Sequence, residues 1–195
     1  MSEEDAEQGL NGLVARAVQG DRYAIEDLLT QIRPMVVRYC RARLGRTGGG
    51  AYTEADDVAQ EVCVAVLNAL PRYEDQGRPF AAYVFGIASH KVTDAHRRAA
   101  RDLSSPVDEV PDSVDTEQGP EASAMAAATS VQLQKLLNVL PESHRDVLIL
   151  RVIVGMSAEE TGQMLGMSPG AVRVTQHRAL AKLRQRIRPG AEVGA

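Results

Sequence analysis

The sequence predicts an all-α protein in which two small helical domains are joined by a flexible acidic linker. Three observations predict this fold class. Apolar residues recur at the helical period along most of the chain, and no convincing strand run appears. Aromatic residues make up 4% of the 195 and Trp is absent, so the cores must be built mostly from small aliphatic side chains. From Asp102 to Pro120 the periodicity stops in a stretch rich in Pro and acidic residues, which is typical of a solvated linker.

The apolar period predicts six helices before the last two of the chain, at Leu10–Val18, Tyr23–Leu44, Thr53–Leu70, Phe80–Arg101, Val131–Leu140 and Glu142–Val154. In the fifth of these, Leu133, Leu136, Leu137 and Leu140 share one face, which is expected to pack inward. Asp21 and Thr53 stand where a side-chain oxygen can cap the first turn of the following helix. Pro34 is expected to bend or restart the second helix, because proline interrupts the backbone hydrogen bonds. The Gly-rich run 45–51 and the segment 71–79, which is rich in Pro, Gly and charge, are predicted as loops.

The last two helices show the punctuation of a helix-turn-helix. Ser157 begins a capping box that has Glu160 three residues later. Gly166 stands where a helix ends in a left-handed residue. Ser168 then caps the next helix, and Pro169 occupies its first position, where a missing N–H has no effect. A tight turn between two helices, of which the second is basic, is the geometry that places a helix in the DNA major groove.

Charge is distributed unevenly along the chain. The 22 Lys and Arg residues and the 26 Asp and Glu residues give a net charge of −4. Between Asp102 and Ala122 there are seven acidic residues and no basic one, whereas residues 131–188 hold nine basic and four acidic residues. The acidic average therefore hides a basic C-terminal region, which points to nucleic acid as a partner.

The composition argues against membrane, secreted and enzymatic proteins. No 18-residue apolar run is present and the acidic N-terminus lacks the apolar stretch of a signal peptide, so we expect no membrane insertion and a cytoplasmic location. Cys40 and Cys63 are expected as buried, reduced thiols rather than as a disulfide or a metal site. No Ser/His/Asp arrangement or metal-ligand cluster is visible, and Gly48–Gly50 lacks the Lys-Ser/Thr of a phosphate-binding loop. We therefore expect no enzymatic activity, no cofactor and no metal.

One face of the third predicted helix carries Asp57, Gln60, Glu61 and Val64. Their spacing of i, i+3, i+4 and i+7 places them side by side on the helix. The residues on another face, which are expected to pack inward, are Val58, Val62, Ala65 and Ala69. The pattern alone is compatible with ordinary solvation, which is the commoner case, and with a surface that docks on another protein.

The fourth predicted helix carries a polar, mostly cationic stripe formed by His90, Asp94, Arg97, Arg98 and Arg101. Aromatic residues cluster at its start and in the preceding loop, namely Tyr73, Phe80, Tyr83 and Phe85. Aromatic rings beside cations suit single-stranded DNA, in which bases stack and phosphates need positive charge. Aromatic residues at helical spacing are more often part of a core, so Phe80 and Phe85 are expected to be buried. The other residues of this helix that can face a core are Val84, Ile87, Ala88, Ala95 and Ala99.

The last predicted helix is expected to bury one face and to present another to DNA. The mostly apolar inner face is formed by Val172, Gln176, Ala179, Leu183 and Ile187. The residues that point elsewhere are Arg173, Val174, Thr175, His177 and Arg178. Arg can read guanine O6 and N7 in the major groove, and Thr or Val can contact a thymine methyl group. For Arg178 and Arg184, phosphate contact or plain solvation is at least as common as base reading.

Three segments together resemble a sigma-70-family factor of the extracytoplasmic-function kind, also called group IV. They read DDVAQEV (56–62), RPFAAYVFGIASHKVTDAHRRAAR (78–101) and LPESHRDVLILRVIVGMSAEETGQMLGMSPGAVRVTQHRALAKLR (140–184). The resemblance covers nearly the whole chain outside the tails and the linker, with the motifs in the family's order. It implies an acidic tail at 1–9, sigma region 2 at 10–101, an acidic linker at 102–122, sigma region 4 at 123–188 and a C-terminal tail at 189–195.

The resemblance also implies three binding surfaces. Asp57, Gln60 and Glu61 match the family's D-x-x-Q-E motif, which docks on the β′ clamp of core RNA polymerase. Val64 lies beside this motif and is included in the same predicted surface. The residues implied to bind the melted −10 element, some of them in a loop that holds a flipped base, are Arg72, Tyr73, Asp75, Arg78, His90, Asp94, Arg97, Arg98 and Arg101. The residues implied to bind the duplex −35 element are Ser168, Arg173, Val174, Thr175, His177 and Arg178.

The function implied by the resemblance is that of an RNA polymerase sigma factor. Such a factor binds core RNA polymerase at the β′ clamp and the β flap, recognises the −35 and −10 promoter elements, and drives promoter melting by binding the opened strand. An anti-sigma factor that masks both domains is a further expected partner. The positions that depart from the family's common residues are Cys63, Tyr83, His90, Ala171 and Thr175, and these bear on which promoter is read.

Two other functions are compatible with part of the sequence. A conventional helix-turn-helix regulator with an N-terminal sensing or dimerisation domain explains residues 141–188 equally well, but it does not explain the basic, aromatic-flanked helix at 80–101. An interaction protein that sequesters another factor predicts no DNA contact. A sigma factor needs core polymerase to act on duplex DNA, whereas a regulator binds an operator by itself, usually as a dimer.

Overall fold

The computed structural model of the chain describes residues 3–45, 53–102, 132–133 and 135–187. All regular secondary structure in these residues is helical, which confirms the predicted all-α fold class. Contacts between Cα atoms divide the chain into two compact units, with the division between Asp115 and Thr116. The predicted linker and C-terminal tail lie outside the described residues, except for Asp102. None of the helices in the described ranges has the length and apolar character needed to cross a membrane.

The described part of the first unit consists of α1 (Glu3–Val18), α2 (Arg22–Leu44), α3 (Thr53–Ala69), a 3₁₀ turn (Leu70–Arg72) and α4 (Phe80–Asp102). Helices α2, α3 and α4 pack against one another, and α1 packs mainly on α2. The side chains at the centre are almost fully buried and mostly aliphatic: Leu28, Val36, Val62, Val66, Phe85 and Val92. Tyr39 packs edge-on against Phe85, with the ring centroids 5.3 Å apart.

The start of α1 and the course of α2 differ from the sequence expectations. Helix α1 begins at Glu3, inside the segment expected as a tail. Negative charge near a helix N-terminus is favourable, so an acidic start does not oppose helix formation. Helix α2 runs through Pro34 without a break. Because Ile32 and Val36 on either side of this proline are buried, packing maintains the helix across the missing hydrogen bond. The Asp21 side chain caps α2, as predicted.

The described part of the second unit consists of helical residues at 132–133 and 135–138, α5 (Glu142–Leu148), a π-helical turn (Ile149–Val154), α6 (Ala158–Leu165) and α7 (Pro169–Ile187). Helix α7 packs on both α5 and α6. Two clusters of buried residues lie between these elements, one formed by Leu137, Leu140, Leu148 and Ala179, the other by Val147, Ala158 and Val172. The helix predicted at 142–154 therefore changes from α to π geometry at Ile149.

Three residues that were expected to face a core are exposed instead. They are Ala99, Leu133, which is 47% exposed, and Ile187, which is 62% exposed. The nearest packed residues, about one helical turn away in each helix, are Ala95, Leu137 and Leu183. The predicted buried face is correct in each helix. The apolar pattern, however, continues about one turn beyond the last residue that packs against a neighbouring helix.

The turn between α6 and α7 has the capping pattern that the sequence predicts. The Ser157 hydroxyl accepts a hydrogen bond from the Glu160 N–H at 3.1 Å, and the Glu160 carboxylate accepts one from the Ser157 N–H at 2.6 Å. Gly166 has a φ of 67°, and the Ser168 hydroxyl accepts from the Ala171 N–H at 3.2 Å. These contacts confirm the predicted helix-turn-helix.

The two helices approach so closely at Gly162 that no side chain fits there. A Cβ atom on residue 162 would lie 2.5 Å from the carbonyl oxygen of Met167. We expect Gly162→Ala to lower the free energy of unfolding by about 1–3 kcal/mol, which is the usual cost of overpacking a closed site. Urea denaturation of the full chain, followed by circular dichroism, measures this change.

Gly170→Ala is the matched control, because a Cβ atom there has no heavy atom within 4 Å and the residue also lies in a helix. This variant should be neutral or more stable by up to about 1 kcal/mol, since Ala has the higher helix propensity. Equal free energies of unfolding for the two variants would contradict the close approach at Gly162.

Candidate functional site

The polar face of α3 is open to solvent while its other side is buried. Asp57 and Gln60 are exposed, and the apolar side chain of Val64 beside them is 50% exposed. Val58 and Val62 lie on the opposite side and are almost completely buried. The structure therefore brings the predicted docking residues together on one accessible surface of the first unit.

A groove of about 550 Å³ lies beside this surface, between α2 and α3. Its lining includes Asp57 and Gln60 from the docking motif, together with Cys63. Arg41 and Asp56 also line it and form a two-point ion pair, with Nε to Oδ1 and Nη2 to Oδ2 both 2.7 Å. This pair fixes one wall of the groove, since a bidentate guanidinium–carboxylate contact holds both side chains in one geometry.

Glu61 differs from the other predicted docking residues because its carboxylate forms ion pairs within the unit. Lys91 Nζ lies 3.0 Å from Glu61 Oε2, and Arg98 Nη1 lies 3.9 Å from Glu61 Oε1. Both cations belong to α4, so Glu61 connects α3 to the cationic stripe. Sequence reasoning did not identify Lys91. The available signal was its spacing of seven from Arg98, which places both residues on one face of α4.

The stripe on α4 is exposed along its whole length. His90, Asp94, Arg97, Arg98 and Arg101 are all accessible to solvent. Asp94 lies 3.6 Å from the Arg97 guanidinium, and Arg101 Nε donates to the Arg97 carbonyl oxygen at 3.2 Å. The predicted residues thus form one continuous polar surface with an excess of positive charge.

The aromatic residues near the start of α4 divide into two groups. Phe80 and Phe85 are fully buried, which confirms the expectation that they belong to the core. Tyr73 and Tyr83 are only partly buried and lie 4.9 Å apart between ring centroids, with Tyr73 also 5.1 Å from Phe80. Burial raises the pKa of the Tyr73 hydroxyl, with smaller contributions from Asp75 and Tyr83. Only the two tyrosines of this cluster therefore offer ring surface to a ligand.

The loop before α4 is shaped by a turn. Asp75 Oδ1 accepts a hydrogen bond from the Gly77 N–H at 2.8 Å, and Gly77 has a φ of 70°. An aspartate that bonds the backbone two residues ahead stabilises a turn locally. Arg72 and Arg78, on either side of this turn, are exposed. The four loop residues predicted to bind DNA therefore include one, Asp75, whose side chain has a structural role in the loop.

The second unit presents the predicted reading residues on the outer side of α7. Arg173, Val174, His177 and Arg178 are exposed, and Thr175 is partly buried. The hydroxyl group of the sixth predicted residue, Ser168, caps α7 as described above.

Two polar contacts join α7 to the elements before it. Arg173 Nη2 donates to Glu159 Oε1 at 2.7 Å. Arg151, in the π-helical turn, donates to Gln176 Oε1 at 3.1 Å and to the carbonyl oxygen of Met156. Sequence reasoning identified neither Glu159 nor Arg151, because each acts across a helix–helix contact.

Both cysteines are free thiols; Cys40 is buried, as expected, whereas Cys63 is only partly buried. Burial raises the pKa of Cys40 to about 12, with smaller contributions from Cys63 and Asp56. Burial also raises the pKa of Cys63, against the opposing effect of Arg33. Since the thiolate is the reactive form, both residues are poor nucleophiles at neutral pH. No group of His, Cys, Asp and Glu that could hold a metal ion occurs in the described ranges.

Two parts of the chain match known families. Residues 28–102 match Sigma-70 region 2, and residues 130–183 match Sigma-70, region 4. The ECF RNA polymerase sigma factor ShbA of Streptomyces griseus is 56% identical over 178 residues, which cover 90% of this chain and 93% of that protein. The ECF RNA polymerase sigma factor SigD of Mycobacterium tuberculosis is 52% identical over 178 residues, which cover 91% of this chain and 84% of that protein.

A solved structure also resembles the chain over most of its length. The structure of CnrH in complex with the cytosolic domain of CnrY matches with a TM-score of 0.64 and 30% sequence identity. The match covers 90% of this chain and 94% of CnrH. The likeness in fold and in sequence therefore extends over both units rather than over one of them.

The two thiols should differ in their access to alkylating reagents. At pH 8 a thiol with a pKa of about 12 is ionised in only about one molecule in ten thousand. We expect iodoacetamide to leave Cys40 unmodified in the native protein and to label Cys63 slowly, with both reacting fully in urea. Peptide mass spectrometry gives the two rates, and the Cys63→Ser variant isolates Cys40. Equal labelling of the two cysteines in the native protein would contradict the burial described here.

Proposed function

We propose the roles of these surfaces from one premise: the chain belongs to the sigma-70 family of RNA polymerase sigma factors, in its extracytoplasmic-function group. It is a transcription initiation factor that binds core RNA polymerase and directs recognition and melting of promoters through their −35 and −10 elements. The match to region 2 and the relatives of nearly full length favour this function over that of a conventional helix-turn-helix regulator.

The core-binding surface that we propose is formed by Asp57, Gln60, Glu61 and Val64, and it docks on the β′ clamp. The observation that carries this proposal is the one-sided exposure of α3, which leaves an apolar residue and three polar residues accessible together. Protein interfaces commonly join an apolar contact to polar groups that fix its orientation. The adjoining groove, with its fixed Arg41–Asp56 pair, supplies a concave surface next to this face.

Gln60→Ala tests the docking surface. Because Gln60 is exposed, its truncation should not disturb the core of the unit. We expect core RNA polymerase to bind about tenfold more weakly, as for one of the minority of interface residues whose truncation costs more than about 1 kcal/mol. Pull-down of purified core polymerase by the full chain measures the affinity. Glu61→Ala is a less direct probe, since it also removes the carboxylate between Lys91 and Arg98.

Gln31→Ala is the matched control, because Gln31 is an exposed glutamine on α2 outside the groove lining. Undiminished binding by Gln60→Ala, or an equal loss in the control, would reject the proposed docking surface. Failure of the wild-type chain to bind an active core polymerase would reject the assignment of α3 altogether.

We propose that α4 and the loop before it hold the −10 element as a melted strand. Unpairing a base costs a few kcal/mol, and stacking on an aromatic ring recovers about 1–3 kcal/mol per base. The two partly exposed tyrosines, Tyr73 and Tyr83, provide such a ring surface, and Arg72 and Arg78 flank it. The α4 stripe of His90, Asp94, Arg97, Arg98 and Arg101 would follow the phosphates of the same strand, while Asp75 shapes the loop.

Arg97→Ala tests the contact with the melted strand. If Arg97 meets a phosphate, its loss should reduce the slope of log affinity against log salt by about 0.7, the contribution of one contact on single-stranded DNA. The measurement is binding of holoenzyme to a single-stranded oligonucleotide of the non-template −10 region over a range of salt concentrations. Arg22→Ala, at the exposed start of α2, is the control. Unchanged slopes in Arg97→Ala would exclude Arg97 from the DNA surface.

We propose that α7 binds the duplex −35 element in the major groove. Its exposed residues Arg173, Val174, His177 and Arg178 lie in the first half of the helix, the part that meets base edges in helix-turn-helix proteins. Thr175 is partly buried and offers only part of its side chain to the DNA. Ser168 contributes by capping the start of the helix. Binding of the β flap is assigned to this unit by family resemblance alone.

Three further proposals follow from the family. The chain has no catalytic role of its own, because the polymerase carries out the chemistry of transcription. It works in the cytoplasm, where a bacterial polymerase meets promoter DNA. An anti-sigma factor holds it inactive until a signal arrives. This last proposal is supported by the similar protein CnrH, which was solved in complex with the cytosolic domain of a second protein.

A further inference from the structure

An ion pair lies at the DNA-facing end of the helix-turn-helix. Glu159, in the first turn of α6, accepts a hydrogen bond from Arg173 Nη2 at 2.7 Å. The two side chains are 56% and 61% exposed, so the pair contributes little to stability. Arg173 lies near the start of α7, the part of a recognition helix that contacts base edges. The position of the pair therefore indicates a role in DNA binding rather than in folding.

Glu159 is well held in place. The capping box formed by Ser157 and Glu160 fixes the backbone on either side of it. A hydrogen bond from its own backbone N–H, and then the guanidinium of Arg173, lower the pKa of its carboxyl group, so it stays ionised at neutral pH. Arg151 lies close to this first turn of α6 as well, and its side chain is held by hydrogen bonds to Gln176 and to the Met156 carbonyl oxygen.

We propose that Glu159 is a positioning residue that directs Arg173 toward a guanine of the −35 element and away from the phosphate backbone. The inference rests on the proposed role of α7. A single Nη2–H of Arg173 is engaged by Glu159, which leaves the other donors of the guanidinium for the O6 and N7 acceptors of guanine.

The sign of the effect follows from charge. A phosphate oxygen close to Arg173 would be repelled by the Glu159 carboxylate, whereas the edge of a guanine carries no net charge. Glu159 therefore weakens the sequence-independent contact and leaves the base contact intact. Without it, Arg173 is an ordinary exposed cation that reaches a phosphate in any sequence.

Glu159→Gln in the full chain, assembled with core RNA polymerase, tests the proposal. The probe is a double-stranded DNA library of random sequence, from which holoenzyme selects its binding sites. We expect the wild type to select an upstream element with a guanine that Arg173→Ala no longer selects. We expect Glu159→Gln to reduce the ratio of affinities for guanine over the other bases at that position by about tenfold, which is within the range that one base pair contributes. Binding to unselected random duplex should become about two- to threefold tighter.

The double variant and a charge control complete the design. Glu159→Gln should have no further effect on the preference when Arg173 is already Ala, because the proposed action passes through Arg173. Glu142→Gln, an exposed residue in α5, makes the same change of net charge and should leave the preference unchanged. Tighter binding to random DNA cannot result from partial unfolding, so the outcome separates positioning from stability.

Three results would overturn the inference. The first is that Glu159→Gln keeps the guanine preference. The second is that Glu159→Gln tightens binding to selected and random DNA equally, which would mean that Glu159 weakens DNA binding without affecting sequence preference. The preference could also fall in the double variant beyond the loss in Arg173→Ala. If wild-type holoenzyme selects no upstream element, the proposed −35 role of α7 fails first, and the inference about Glu159 fails with it.

Discussion

The burial of one side of α3 is the constraint on which the arrangement of the first unit depends. Val58, Val62 and Val66 are nearly inaccessible between α2 and α4, and full burial of such a side chain contributes about 1.5–3 kcal/mol. Because a helix turns every 3.6 residues, fixing these valines inward fixes Gln60 and Val64 outward. The exposed face of α3 is thus a geometric consequence of the core, and it needs no interactions of its own to be held in place.

The same packing brings Glu61 to α4, where it lies between Lys91 and Arg98. Exposed ion pairs of this kind are worth about 0–1 kcal/mol each and are screened by salt. They are therefore strong enough to bias the side chains of both surfaces and weak enough to be exchanged for contacts with another molecule. The polymerase-binding and −10 DNA-binding surfaces that we propose are therefore connected through Glu61 and Arg98.

Spacing along a single helix explains what was predictable from the sequence. The exposed faces of α3 and α4, the buried Phe80 and Phe85, and the caps around the α6–α7 turn all follow from the helical period or from local backbone chemistry. Two kinds of feature could not be predicted this way. The apolar faces extend past Ala95 and Leu183 in sequence, but the partner surfaces end there. Contacts such as Glu61–Lys91 and Glu159–Arg173 depend on how two helices meet in space, which periodicity does not report.

The second unit tolerates substitution poorly at Gly162, where the Met167 carbonyl oxygen occupies the place of a side chain. Any side chain at this position requires α6 and α7 to shift, so each substitution there lowers the stability of the unit. The exposed positions on α7, such as Val174 and His177, carry no such restriction. Under the role proposed for α7, relatives can therefore acquire new target sequences by substitution on its outer side while the angle of that helix stays the same. The DNA sequence that is bound can therefore change while the packing of α6 against α7 is kept.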